Sequence, residues 1–229
     1  MRGHELVPIS RSGGVDLVRG DGLDEALEGV ECVIDTSNRP SSQPGDAAEF
    51  FVAVSRNLQE AGERAGLRRL VVLSIIGCDR FRAGYYAAKA AHERAALAGL
   101  IPARILRAAQ FHDYVGRMVE SGRQGDVSRV RRMRTQLVAT SNVAEALADL
   151  GTEPISDGGD TPEIAGPRAE KLVEMAELLV AHRGDAIRIE PASDPGDPDH
   201  QLYETGGLLP GPQAMLVGPT FEDWLRGKP

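Results

Sequence analysis

"RRLVVLSIIG", residues 68–77, is the stretch on which the reading of this chain turns. Its apolar run at 70–73 shows no polar alternation, so the strand it predicts must be covered on both faces. Such strands belong to parallel sheets with helices above and below. A half-exposed antiparallel strand would alternate apolar and polar residues instead. Ser74 places a small hydroxyl at the carboxyl end of that run.

Working outward, residues 46–65 carry Phe50, Val54, Leu58 and Ala61 at helical spacing, and Gly66 can close that helix in a left-handed conformation. Before it, "ECVIDTSN" predicts a buried strand at 31–35 that ends in small polar residues. Downstream come a loop at 78–84, a helix at 85–97 and a strand at 103–106. Near the start, strands are expected at 5–10 and 15–18 and a helical turn at 23–27, although Pro8 cannot donate to a ladder. Strands separated by helices predict an α/β fold, a parallel sheet with right-handed crossovers. In such sheets ligands sit outside the carboxyl ends of the strands. Those ends carry Ser10 and Arg11, then Thr36, Ser37 and Asn38, then Ser74, then Arg107. All are polar, so topology places the candidate site before any motif is considered.

The remainder changes character. "RVRRMRTQLVAT" (129–140) reads as one or two strands, and Asn142 with Glu145 forms a capping box for a helix at 143–150. A helix at 168–181 follows "EIAGP", the Pro- and Gly-rich stretch 193–212 reads as loop, and "PTFEDWLRG" predicts a last short helix.

Composition narrows the function classes. The 229 residues are 41% hydrophobic, enough for a core of aliphatic strands and helices, with aromatics at only 4%. A net charge of −8 argues against general nucleic-acid or membrane-surface binding, which need a basic footprint. No apolar run approaches the roughly 20 residues that span a bilayer, and no signal-like segment opens the chain, so a cytoplasmic location is expected. Cys32 and Cys78 match no metal or redox spacing, and reduced thiols are the plain expectation.

The residues with chemistry are Ser74 and, in "GYYAAKAAHE", Tyr85 and Lys89. Tyr85 and Lys89 are one helical turn apart and share a face. An ammonium beside a phenol favours the phenolate and lowers its pKa, which brings proton transfer closer to neutral pH. A serine hydroxyl nearby could hold the substrate oxygen that the tyrosine protonates. Y-x-x-x-K occurs by chance on many helices; Ser74 eleven residues upstream makes the pattern more specific. The same residues also suit ligand binding without chemistry, or simple packing with a solvated lysine, and Tyr86 competes with Tyr85 for the inward position. Ser74 could equally satisfy backbone groups at the strand end.

Other polar groups read more plainly. Arg129, Arg131, Arg132 and Arg134 suit a solvated strand face, and Cys78 a small loop residue with no base beside it. His92 reads as a surface residue of the Tyr85 helix, while His112, close to Gln110, is the histidine of interest; His182 and His200 share no metal spacing with either. Asp194, Asp197 and Asp199 lack the glycine and glutamate of a calcium loop, and no metal is expected.

The pieces "VPISRS", "GVECVIDTSN", "LRRLVVLSIIGCD", "GYYAAKAAHERAALAGLIPARILRAAQFHDYV", "QLVATSNVAEALADL", "EIAGPRAEKLVEMAELL" and "LLPGPQAMLVGPTFEDWL" run nearly the length of the chain. In that order they resemble an atypical short-chain dehydrogenase/reductase of the NmrA-like, NAD(P)-binding type. The resemblance implies a Rossmann-like sheet with helices on both faces over residues 1–125, discontinuous with later elements, and a small α+β substrate-cleft region over 126–229. It implies an NAD(P)-dependent oxidoreductase acting on a small molecule, or a noncatalytic NADP(H) sensor with a protein partner; a homodimer is also compatible. Arg11 and Ser12 would meet the adenosine ribose, and an arginine there without an acid favours NADP(H) over NAD. Thr36, Ser37 and Asn38 would lie along the cofactor. Ser74, Tyr85 and Lys89 match the reductase positions, Lys89 also reaching the nicotinamide ribose, and Gln110 and Phe111 would border nicotinamide or substrate.

The chain departs from the family at its beginning. Neither G-x-G-x-x-G nor G-x-x-G-x-x-G occurs, and the pairs Gly13-Gly14, Gly158-Gly159 and Gly206-Gly207 do not join a strand to a helix in the required way. That turn normally gives the pyrophosphate its backbone donors. The expectation is that the reading frame upstream encodes a strand, a glycine-rich turn and a helix. On that view the chain is an N-terminally truncated, inactive fragment with exposed strand edges.

Overall fold

Leu70, Val71 and Val72 are each essentially inaccessible to solvent, and they point alternately to opposite faces of a parallel sheet. The computed structural model describes residues 3–39, 45–153 and 161–227. Its elements begin with α1 (Leu23–Ala26), β1 (Cys32–Asp35), α2 (Asp46–Ala65), β2 (Arg69–Ile75), α3 (Gly84–Leu97) and β3 (Ala103–Ala108). There follow α4 (His112–Ser121), β4 (Arg123–Gln124), β5 (Val127–Arg131), β6 (Arg134–Thr135), α5 (Thr140–Thr152), β7 (Glu163–Ala165) and β8 (Glu170–Lys171). The chain closes with α6 (Leu172–Arg183), β9 (Arg188–Ala192), α7 (His200–Thr205), β10 (Met215–Leu216) and α8 (Phe221–Arg226).

The main sheet has the order β1-β2-β3-β7-β10, and every pairing in it is parallel. On one face Leu70 and Val72 pack with Val54 and Leu58 of α2, Ala96 of α3 and Leu23 of α1. On the other, Val71 and Leu106 pack with Val143, Leu147 and Leu150 of α5. This two-sided cover is what the unbroken apolar run demands. A third core joins Val115 and Val119 of α4, Val130 of β5, Leu172, Met175 and Leu179 of α6, and Phe221 of α8 to Tyr86 of α3. Two smaller sheets, β4-β5-β9 and β6-β8, flank that cluster.

The central elements match their expected bounds. Gly66 closes α2 at φ 73°, with its N–H returned to Glu63 and Gly62. Thr220 caps α8 through its hydroxyl, which accepts from Asp223 N at 3.2 Å.

Five expectations are corrected. Residues 5–10 form no strand: Leu6 is 85% exposed, and Ser10 instead caps a 3-10 turn, Arg11–Gly13. An extended segment becomes a strand only through a ladder partner, and none pairs with it among the described residues. In place of a strand at 15–18, Asp16 makes a single bridge with Asp21 and residues 17–20 turn, because the Asp16 carboxylate accepts from Val18 N and Arg19 N and curls the backbone. The helix expected at 143–150 starts earlier, after Ala139, so Asn142 lies inside its first turn and no side-chain cap forms. The helix expected from 168 begins at Leu172, since Glu170 and Lys171 pair with Thr135 and Arg134. Within the loop 193–212, His200–Thr205 winds into α7 and stops at Gly206, φ 92°. The Gly158-Gly159 pair lies outside the described residues. No helix among the described residues is long and apolar enough to cross a membrane.

Candidate functional site

Parallel pairing brings the carboxyl ends of β1, β2 and β3 to one edge, with Ser74 opposite Arg107 in register. Ser74 is buried there, its hydroxyl 3.6 Å from the Cys78 thiol. The chain then turns at Gly77, φ 70°. A Cβ at this position would lie 2.1 Å from the Gly207 carbonyl oxygen, so only glycine lets the two loops touch. The following segment is tied down by Asp199, whose carboxylate accepts from Arg82 N at 2.7 Å and Ala83 N at 3.1 Å. The start of α3 is thereby fixed.

Tyr85 and Lys89 leave α3 toward different partners. The Tyr85 hydroxyl donates to Asn38 Oδ1 at 2.8 Å, linking α3 to the end of β1. Lys89 Nζ donates to the Leu73 carbonyl at 2.7 Å and lies 2.8 Å from His92 Nδ1. His92 Nε2 is 2.9 Å from Asp35 Oδ2. The Phe51 ring of α2 stacks on His92 at 4.7 Å and lies under Lys89 Nζ, 4.5 Å from the ring centroid. His92 is 0% exposed, which corrects the surface assignment: its ring fills the space between α2 and the sheet.

Burial governs the protonation of this group. It pushes Lys89 down to about 8, against the opposing pull of Asp35, Cys78 and Glu93. It also lowers His92, with the nearby Lys89 charge adding to the effect, despite the Asp35 hydrogen bond. Burial would raise Asp35, but hydrogen bonds from His92 and Ser37 outweigh it and hold the carboxylate below its ordinary range. Tyr85 is pushed up to about 12 by burial, so its phenol keeps its proton at neutral pH. The lysine-assisted lowering expected from the Tyr85–Lys89 spacing is not what this geometry produces.

A second buried cluster lies on the adjacent side of α3. Arg107 reaches Glu93 through two bonds, 2.9 and 2.7 Å, and Asp79 at 3.1 Å. The Cys78 thiol donates to Glu93 Oε1 at 3.2 Å. Cys78 therefore does have a carboxylate beside it. Burial and then the Glu93 charge push the thiol up to about 12, which leaves it un-ionised.

The structure thus brings Tyr85 to Asn38 beyond the end of β1, and Lys89 to the Leu73 carbonyl and, through His92, to Asp35, whose carboxylate also accepts from Ser37 N. The Ser74 hydroxyl turns to Cys78 instead and bonds to neither Tyr85 nor Lys89. Thr36, beside Asp35, is exposed. Arg11 and Ser12 stand in the exposed turn Arg11–Gly13. Tyr86 is the inward ring, packed against Phe81 and Tyr203. Gln110 is buried and accepts from the Thr135 hydroxyl at 2.6 Å, and Phe111 is half-buried at the start of α4. His112 stacks on Trp224 and Phe221. Arg129, Arg132 and Arg134 are exposed, whereas Arg131 pairs with Asp197 at 2.9 Å over the Tyr203 ring. Among the described residues no three metal-ligating side chains converge. Asp35 and Glu93 are not singled out by the sequence reading, which takes His92 for a surface residue. The spacing of Lys89 and His92, three apart on one helix, was the available signal.

No family model matches the chain, and no curated protein matches it in sequence. Solved structures do resemble it. The Bordetella bronchiseptica enzyme WbmG in complex with NAD is 16% identical, with a TM-score of 0.64 over 93% of this chain and 75% of that one. An NADPH-dependent quinone oxidoreductase from Escherichia coli is 18% identical, TM-score 0.64, covering 93% and 80%. The UDP-glucose 4-epimerase of Thermus thermophilus in complex with NAD is 18% identical, TM-score 0.64, covering 93% and 84%. At such identities the likeness is one of fold, and the fold is Rossmann-like.

Proposed function

We propose that this chain binds a nicotinamide dinucleotide and acts on, or senses, a small molecule in the manner of an atypical, NmrA-like short-chain dehydrogenase/reductase. One observation carries the reading. The Tyr85 hydroxyl reaches Asn38 after β1 and the Lys89 ammonium the Leu73 carbonyl next to Ser74 on β2, so all three lie along the carboxyl edge of a parallel sheet, where such folds take their ligands, each with its own partner. The neighbours in complex with NAD and the NADPH-dependent quinone oxidoreductase support it.

The donor set fits the sugar end of the cofactor. Lys89 and Tyr85 offer N–H and O–H groups to a ribose, Thr36, Ser37 and Asn38 would run along it, and Arg11 with Ser12 would favour the 2′-phosphate of NADP(H). The pyrophosphate end is unmatched, since no glycine-rich strand-to-helix turn occurs in the sequence. Bound nicotinamide would supply hydride chemistry. For its part, Tyr85 holds a proton at neutral pH and can donate it to a carbonyl oxygen that Ser74 orients, with Gln110 and Phe111 bordering the substrate.

A specific observation favours the sensing variant of this reading. Lys89 is directed to Leu73 and His92, and Tyr85 to Asn38, so no ammonium stands ready to stabilise a phenolate. Titration with NADPH and NADH, followed by a carbonyl panel, tests both variants. An oxidoreductase would lose about a hundredfold or more in turnover on Tyr85→Phe while keeping its nucleotide affinity. A sensor would bind NADPH and turn over nothing. Absence of binding to either nucleotide at millimolar concentration would overturn the proposal.

A further inference from the structure

Lys89, His92 and Asp35 form a continuous buried line, and each junction has hydrogen-bond length: 2.8 Å from Nζ to Nδ1 and 2.9 Å from Nε2 to Oδ2. A lysine ammonium only donates, so Nδ1 must accept, and the imidazole proton is left on Nε2 for Asp35. The histidine is then neutral and bridges a cation to an anion. A proton on Nδ1 as well would face the ammonium directly. Phe51 closes the assembly by stacking on the imidazole and presenting its face to the ammonium.

We propose that His92 and Asp35 are positioning residues for Lys89: together with the Leu73 carbonyl they hold its ammonium at the end of β2 and keep it charged within the core. Alone, a desolvated ammonium would surrender its proton. The relayed carboxylate opposes that loss through a polarised imidazole rather than by direct contact. The other ionisable groups that face Lys89 are Cys78 from the turn after β2 and Glu93 of α3, the latter held by Arg107 of β3. The value of this arrangement to a cofactor rests on the reading of Lys89 given above, whereas its existence does not.

The test uses cofactor-free protein. The chain has only three lysines, Lys89, Lys171 and Lys228, so carbon-13 and nitrogen-15 lysine NMR resolves each, with exposed Lys171 as internal reference. Lys89 is expected to titrate near 8, below the ordinary lysine value of 10.5. In Asp35→Asn its midpoint should fall by a further half unit or more, about a threefold change in the neutral-to-charged ratio at a given pH. Nitrogen-15 histidine spectra should show His92 neutral, with its proton on Nε2, at pH values where an ordinary histidine is already charged. His92→Gln, which can still donate to Asp35, provides a second folded variant in which the Lys89 midpoint should also move. Identical Lys89 titration in all three proteins, or a His92 that carries its proton on Nδ1, would overturn the proposal. A shifted midpoint in a protein that binds neither NADPH nor NADH would sustain the relay and reject the cofactor reading.

Discussion

Glu93 and Arg107 show how a single residue's cost depends on what it leaves behind. Removing one partner of a buried pair typically costs about 3–5 kcal/mol, because the survivor stays desolvated and unpaired. Glu93→Ala leaves Arg107 with Asp79 at 3.1 Å, whereas Arg107→Ala leaves the more deeply buried Glu93 with only a thiol donor. Urea denaturation should therefore place Glu93→Ala near the lower end of that range and Arg107→Ala near the upper. The reverse order would show that Asp79 does not compensate. At this scale the sequence disclosed residue types but not their directions. Ser74, Tyr85 and Lys89 could be named from spacing, yet α3 carries alanines on every side, so no amphipathic stripe says which face is inward. His92 was accordingly read as exposed, and the Lys89 ammonium was assigned to Tyr85 rather than to His92.

Between elements, one side chain of α2 adds hydrogen bonds to the packing of α2 against the end of α3. Gln59 donates to the Ala96 carbonyl at 2.9 Å and the Ile101 carbonyl at 3.2 Å, and accepts from Ile101 N at 2.9 Å. Gly99 makes room for it, since a Cβ there would lie 2.0 Å from Gln59 Cδ. Gln59→Ala should cost about 2–4 kcal/mol, because buried backbone groups lose their partner. Gly99→Ala should cost less in the Gln59→Ala background than alone, a coupling that a double-mutant cycle reads directly. Additive penalties would dismiss the clash. Elements with strong local signals, such as α2 with its glycine stop and β2 with its unbroken apolar run, were legible. Residues 5–10 and 15–18 were not, because a strand is made by its neighbour and the first of these has none among the described residues. In the second, one aspartate side chain outcompetes the extended backbone.

Across the whole molecule, the buried charges set how stability responds to acid. His92 and Asp35 both have lowered pKa values in the folded state, so between the folded and ordinary values the unfolded chain binds more protons. Stability must therefore fall as pH drops below the ordinary histidine range, and fall again below the ordinary carboxylate range. Lys89, lowered to about 8, adds the same sign in alkali: stability rises between about 8 and its ordinary value of 10.5. Thermal melts from pH 4 to 10 should show the first loss flattened in His92→Gln, and a wild-type slope no steeper than the variant's would contradict the assignment. The carboxylate at the end of this line belongs to β1, a four-residue strand at the margin of the sheet that is hydrogen-bonded to β2 alone among the described strands. A buried chain of charges is thus moored to a strand held on one side only. Brief fraying of β1 would let water reach Asp35 and a proton reach His92 while β2 and β3 stay closed. Mild acid should then quicken amide exchange in β1 selectively, a local breathing that precedes any global unfolding.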